Sequence, residues 1–281
     1  MIPLAQLKQD MEFSKSLSEI VEGLKIGAAI ELRHLQAQAT LSEPFLKHTL
    51  DNLSLVDPRQ SRHPFLAERA SLPSCVVVIT SEEGFSGELN ALLVNAALTA
   101  RDAARGDQLV VLGERGAAAM EELGESFVYF PGVADELDRR QVAGLQRHLV
   151  QGYLDGTFGS ARVVYAKFLS VTFQRVDHDV LLPYRAPAGA RTAPRKPCAL
   201  EPSADLIVEE LVSLWLAFSI ATIFMSSKLS EVSARVMHLE GSDQELSQMS
   251  QRLSLQYVKH LHALADKSIR EISVSRLRVT R

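Results

Sequence analysis

The strongest candidate for chemistry is the run Gly84-Phe85-Ser86-Gly87-Glu88-Leu89-Asn90, which follows the β-branched stretch Cys75 to Thr80. In a doubly wound fold this is where backbone N–H groups at a helix N-terminus receive a phosphate. The spacing is only GxxG, however, with no third glycine and no P-loop Lys-Ser/Thr, and Glu82, Glu83 and Glu88 place repelling charge around it. It reads better as a tight strand-to-helix turn, as does Gly113-Glu114-Arg115-Gly116 after the next β-branched run. Ser86 lies outside a GxSxG elbow, and neither an HExxH helix nor an EF-hand loop is present. His238, His260 and His262 lack the i, i+4 spacing of a helical metal site and read as solvated or seam residues. Cys75 opens an apolar strand and reads as an inert buried thiol, while Cys198 lies far away, so neither a disulfide framework nor a zinc motif is indicated. No catalytic residue, cofactor or metal is expected.

Composition narrows the classes further. The chain has 281 residues, 46% hydrophobic and 23% charged, enough for a core without staples or metals. Its formal charge of −4 removes the lysine and arginine excess through which a generic nucleic-acid binder meets phosphates. A reducing compartment fits the cysteine usage, and the first ten residues do not follow the charged-then-apolar pattern of a signal peptide.

Proline placement shows which elements must carry any function. All eleven prolines lie between Pro3 and Pro202, and Ser203 to Arg281 holds a single glycine, Gly241. That segment can form one helix about 115 Å long at about 1.5 Å per residue. Within it, Leu229, Val232, Val236, Leu239, Leu246, Leu253, Tyr257 and Leu264 fall on steps of three and four, with Asp243, Ser250 and His260 at the remaining seam positions. Leu4, Leu7, Met11, Ser14, Leu17, Val21, Leu24, Ala28, Leu32 and Leu35 repeat the pattern near the start. Two such helices can satisfy their seams by pairing antiparallel.

Between them, β-branched runs at 75–80, 108–113, 126–130 and 161–165 alternate with helical stretches at 88–103, 115–123 and 134–153, and 172–183 adds an antiparallel edge. The expected fold class is α/β: a long antiparallel coiled coil of N- and C-terminal helices plus a Rossmann-like α/β domain with a mostly parallel sheet. The expected segments are an N-terminal coiled-coil helix at 1–57, the α/β domain at 72–184, a linker at 185–202 and the C-terminal coiled-coil helix at 203–281. Leu211 to Ser227 carries no charge and is about the minimum length for a membrane span, but its serines and Thr222 favour burial within the protein. From Lys259 onward Lys259, Lys267, Arg270, Arg276, Arg278 and Arg281 outnumber Asp266 and Glu271. This end reads either as a solvated terminus favourable to the helix dipole or as a shaft end facing an acidic partner.

Long helix, small α/β domain, longer helix: the whole chain resembles the gamma subunit, or central rotor shaft, of F-type ATP synthases. Leu24-Lys25-Ile26-Gly27-Ala28-Ala29-Ile30-Glu31-Leu32-Arg33 is similar to the family's Met-x-Met-Val-Ala-Ala-x-Lys-Leu-Arg. The most specific match is Ile79-Thr80-Ser81-Glu82-Glu83-Gly84-Phe85-Ser86-Gly87-Glu88-Leu89-Asn90, which resembles Ile-Thr-Ser-Asp-x-Gly-Leu-Cys-Gly-x-Leu-Asn. Glu201-Pro202, Ser230-Glu231-Val232-Ser233-Ala234-Arg235, Leu255-Gln256-Tyr257 and Glu271-Ile272 complete the series in order. Two places depart from the pattern. Tyr257 is followed by Val258, Lys259, His260, Leu261 and His262 where the family continues Asn-x-x-Arg-Gln, and the usual small apolar end is replaced by a basic one. The chain is thus identified as a divergent member, of the kind found in alternate, second-copy ATP synthases of some bacteria.

The resemblance implies a non-catalytic subunit that couples ion flow through a membrane ring of c subunits to ATP synthesis or hydrolysis in a ring of alpha and beta subunits, by rotation. The partners implied are alpha, beta, epsilon and the c ring, with no nucleic acid and no membrane span of its own. It would lie peripherally on the cytoplasmic face of the bacterial inner membrane. The implied rotor contacts are Leu24, Glu201, Arg235, Lys259 and His262. The competing readings are a nucleotide-binding α/β enzyme with a coiled-coil dimerisation arm and a coiled-coil scaffold that does not rotate.

Overall fold

A computed structural model describes residues 3–38, 43–53, 61–67, 69–135, 138–185, 201 and 203–279. Contacts divide the chain into two compact units, Met1–Gly27 with Val236–Arg281, and Ala28–Arg235.

The second unit is built on a five-stranded sheet of order β3-β2-β1-β4-β5. Its strands are β1 (Ser74–Ile79), β2 (Gln108–Leu112), β3 (Val128–Phe130), β4 (Ser160–Ser170) and β5 (Phe173–Leu182). β1 pairs in parallel with β2 and β4, β2 pairs in parallel with β3, and only β5 runs antiparallel, against β4. The uninterrupted apolar run Cys75 to Ile79 follows from coverage of both faces. On one face Val76, Val78, Leu109 and Val111 pack against Leu93, Val94 and Ala97 of α3 (Leu89–Ala100) and Met120 of α4 (Glu114–Glu122). On the other, Cys75, Val77, Ile79, Val110 and Val163 meet α5 (Arg139–Leu154) and the lower part of α6 (Ala204–Val279). Burial pushes the Cys75 thiol up to about 12, so it stays protonated and inert.

The uncharged stretch of α6 is long and apolar enough to cross a membrane by length and composition. One side of it is used against the sheet, where Val212, Leu216, Ile220 and Phe224 are buried, each contributing about 2 kcal/mol from area removed from water. Serines in and just beyond it have specific partners. Ser213 accepts from the Gln146 amide of α5 at 2.9 Å, Ser226 Oγ accepts from the Phe168 N–H at 3.0 Å, and Ser230 Oγ donates to the Ala166 carbonyl at 3.0 Å. Hydroxyls that a lipid environment would leave unmatched instead tie the helix to α5 and to the free end of β4.

The N-terminal segment, expected as one helix over 1–57, forms α1 (Leu4–Gln38) and α2 (Glu43–Leu53). Pro44 sits in the first turn of α2, where its missing N–H costs nothing; farther inside a continuous helix it would break the ladder. The helix expected over 134–153 starts at Arg139, with Asp138 accepting from the Arg140 N–H as its cap. Most of the linker expected at 185–202 lies outside the described residues.

In the first unit, α1 and α6 pair antiparallel. Lys25 meets Glu240 and Asp243, while Lys8, Met11 and Ser14 share a groove with Ser250, Gln251 and Tyr257. The expected α6 seam holds as far as His260: Leu239 is buried, and Asp243, Leu246, Ser250, Leu253, Tyr257 and His260 are half-buried, whereas Leu264 is exposed. On α1 one seam assignment is corrected. Leu24 is 43% exposed, and the inward position is taken by Lys25, which keeps the step of four from Val21 and the step of three to Ala28. The reason is electrostatic: opposite lies Asp243, whose carboxylate accepts from the ammonium at 2.6 Å, and leucine would leave that carboxylate unmatched.

Candidate functional site

In a doubly wound sheet a ligand lies in the crevice beyond the carboxyl ends of the strands, where the strand order reverses. Here that point lies between β1 and β4, and on the neighbouring side the ends of β1, β2 and β3 are joined by the chain's own groups. The Glu82 carboxylate accepts from the Gly132 N–H at 2.6 Å and from the Glu114 N–H at 2.8 Å, so it sits at the N-terminus of α4, where an anionic ligand would otherwise bind. Gly113, at φ +97°, brings that helix end so close to the Thr80 and Ser81 carbonyls that a Cβ would collide with backbone. In the loop after β1, Phe85 is held at φ +66°. The Asn90 side chain accepts from the Ser81 N–H at 3.1 Å and donates to the Ser81 and Ser86 hydroxyls at 2.7 and 2.9 Å, which closes the turn on itself.

Next to these loops α6 carries an ion cluster. Lys228 reaches Asp135 at 3.0 Å, Glu231 at 3.4 Å and Glu31 at 3.7 Å. Arg235 reaches Glu231 at 2.7 Å, Glu83 at 3.3 Å and Glu31 at 3.4 Å, and its Nε donates to the Gly84 carbonyl at 3.4 Å. Two helices, α1 and α6, are thereby tied to the loops that follow β1 and β3. Burial pushes the Glu231 carboxyl up, against the pull of Lys228 and Arg235, and it pushes Glu31 up in the same way. For Lys228 burial works toward the neutral form, but Glu231, Asp135 and Glu31 outweigh it and the ammonium is held above its ordinary range.

Of the five positions expected to make rotor contacts, only Arg235 belongs to this cluster, and at 7% exposure its guanidinium is used inside the chain. Leu24 points outward from α1 and Glu201 is exposed just before α6. Lys259 and His262 are exposed on the upper part of α6, one turn apart. Sequence reasoning missed Lys25, Glu31 and Lys228. A signal for the last existed: Lys228, Glu231 and Arg235 lie at i, i+3 and i+7, one helix face, immediately after an uncharged run. Among the described residues no group of three His, Cys, Asp or Glu side chains could hold a metal.

A family model described as ATP synthase matches residues 3–273. The ATP synthase gamma chain of Desulforamulus reducens is 25% identical over 270 residues, covering 95% of each chain. That of Chlorobium luteolum is 29% identical over 271 residues, covering 92% of each. Among solved structures, a chain of the Euglena gracilis mitochondrial ATP synthase rotor superimposes with a TM-score of 0.70 at 15% identity, over 93% of this chain and 98% of its own. A chain of the Tetrahymena thermophila mitochondrial ATP synthase central stalk and c-ring gives 0.60 at 20% identity, over 79% and 99%. These two likenesses carry the fold, and the match along nearly the whole sequence carries the family. The family match over residues 3–273, with relatives aligned along nearly their whole length, makes this chain a divergent member of the ATP synthase gamma chain family, a non-catalytic subunit of the central stalk.

Proposed function

We propose that the chain is the shaft that couples rotation of a membrane ring of c subunits to ATP synthesis or hydrolysis in a ring of alpha and beta subunits. In this reading 1–57 and 203–281 serve as the coiled-coil shaft, 72–184 as the α/β base beside an epsilon subunit, and 185–202 as the linker between base and shaft. The complex lies on the cytoplasmic face of a bacterial inner membrane. The observation that carries the reading is the upper part of α6, where Leu255, Val258, Leu261 and Leu264 stand exposed beside Lys259 and His262. An apolar and basic helix surface of this kind suits a surrounding protein sleeve better than water. A shaft works by differential contact: touching each beta subunit differently, it favours a different conformation at each of three otherwise equal sites, and rotation changes which is favoured.

Co-expression with alpha and beta subunits tests this directly. The chain should co-purify with them, and leaving it out should abolish cooperative ATP turnover; normal multisite hydrolysis in its absence would remove the shaft reading. Glu201, exposed ahead of α6, is assigned to a polar loop of the c ring, so Glu201→Lys should impair ion-driven synthesis in the assembled complex. Lys259 is assigned to a beta-subunit carboxylate, a looser contact than an arginine fork would make. Lys259→Ala should lower turnover more than His262→Ala, with neither unfolding the chain, because both are surface changes. Leu24, turned outward from the seam, is assigned to the same sleeve.

A further inference from the structure

The ion cluster is more elaborate than stability requires. Buried ion pairs gain little over well-packed apolar residues, because desolvation offsets most of their attraction, yet breaking one leaves an uncompensated charge. Such clusters are therefore better at selecting one arrangement than at strengthening it. Here the selected arrangement has four parts: α1 through Glu31, α6 through Lys228, Glu231 and Arg235, the loop after β1 through Glu83 and Gly84, and the loop after β3 through Asp135. The two cations lie seven residues apart on α6 with Glu231 between them, and Glu31 faces both from α1. Lys228, Glu231 and Arg235 are buried, whereas Glu83 and Asp135 reach in from exposed loops.

Glu31 is the informative member. It faces both cations of α6 from the other long helix. Its Oε1 is buried without a hydrogen bond, 3.7 Å from the Lys228 ammonium, and its Oε2 accepts from Arg235 at 3.4 Å. A cation at this half-buried position would face two cations, while the same cation with Lys228 made neutral would keep Glu231 and Asp135 within the cluster. A rotation of α6 by one residue, about 100°, would carry all three of its charged groups off the face that meets Glu31 and the two loops. The cluster thus works as a rotational key.

We propose that Glu31 and Lys228 are positioning residues that, with Glu231 and Arg235, set the angular position of α6 and α1 on the strand-end loops of the α/β domain, and that the sign of charge at residue 31 determines which helix pairing the joint accepts. The consequence for coupling rests on the shaft reading above: a joint that holds one angle passes torque between helix and base, and one that slips does not.

Two measurements separate the joint from the shaft reading. On the full chain alone, E31K should lower the unfolding temperature by about 5 °C and K228M by a comparable amount, while E31K/K228M should recover at least half of the combined loss. Additive losses, or an E31K chain as stable as the parent, would overturn the joint whatever the chain assembles with. In the assembled, membrane-reconstituted complex, E31K should lower ATP-driven ion pumping per ATP hydrolysed about threefold, with E31K/K228M intermediate and E31D close to parental. A purely structural role would change the yield of complex and leave that ratio untouched, which would also overturn the proposal. If E31K prevents folding, E31Q replaces it in both measurements, with losses in the same direction. Failure of the parent chain to assemble would count against the shaft reading alone, since the unfolding comparison needs no partner.

Discussion

Between Val208 and Val232, α6 buries Val212, Leu216, Ile220, Phe224 and Val232, whereas between Asp243 and His260 the same helix, with the same steps of three and four, keeps its seam residues only half-buried. In the lower stretch a sheet and a helix lie against α6, and even its hydroxyls find specific partners. In the upper stretch α1 is the partner among the described residues, and the seam includes Lys25, Asp243, Ser250 and His260. Periodicity therefore sets which side of a helix is apolar, while the number of elements against that side sets how much each residue stabilises. The two stretches also hold their ions differently. Lys25 bonds Asp243 and Glu240 at the edge of a coil, within reach of solvent, whereas Lys228 and Arg235 are themselves buried and share the buried Glu231.

The largest expected effect sharpens this contrast. Phe224→Ala should destabilise the full chain by about 3–5 kcal/mol in denaturant unfolding, because a ring-sized cavity opens beneath the sheet, while Leu264→Ala should stay within about 0.5 kcal/mol. Equal losses at the two sites would mean that the stretches are not packed differently.

Removing the carboxylate that occupies the N-terminus of α4 comes next. Glu82→Ala leaves the Gly132 and Glu114 N–H groups without their acceptor and should cost about 1–2 kcal/mol. Calorimetry should detect no binding of ATP or NAD by either the parent or this variant, and tight binding by the parent would revive the nucleotide-enzyme reading.

Acidification should act on the two ion sites with opposite sign. Hydrogen bonds from Lys25 and Gln244 hold the Glu240 carboxyl below its ordinary range, so its stabilisation is present above the ordinary glutamate value and is lost as pH falls through the lowered one. Burial raises Glu31 and Glu231, whose contribution is present below the ordinary value and is lost as pH rises through the raised ones. Hydrogen exchange compared at about pH 7 and about pH 4 should thus show the amides around Glu240 losing relative protection on acidification, while those around Glu231 do not. A uniform change along α6 would break the comparison.

The smallest effect is expected at the corrected seam position. Leu24→Ala should change chain stability by less than about 0.5 kcal/mol, since the side chain faces outward, and a loss of several kcal/mol would return Leu24 to the seam.

Sequence alone determined the order and type of most elements, though not the division of the N-terminal segment into α1 and α2. Proline placement, heptad spacing and β-branched runs act locally, and local geometry is enough to read a long helix from 203 onward, a mostly parallel sheet and a non-catalytic strand-end turn at Gly84 to Asn90. The family resemblance was legible for the same reason, because its motifs are contiguous. What tertiary structure decided depends on facing residues far apart in the chain. Lys25 displaces Leu24 from the seam because Asp243 stands opposite, and no periodicity within α1 contains that information. Glu82 fills the helix end where a phosphate would bind because the chain brings β1, α4 and the loop after β3 to one point. Arg235, conspicuous in its motif as a contact for other subunits, turns inward to Glu31, Glu83 and Glu231. The physical reason is common to the three: a charge takes its place from the nearest opposite charge and the solvent that burial removes, and both are properties of the folded arrangement rather than of the neighbours in sequence.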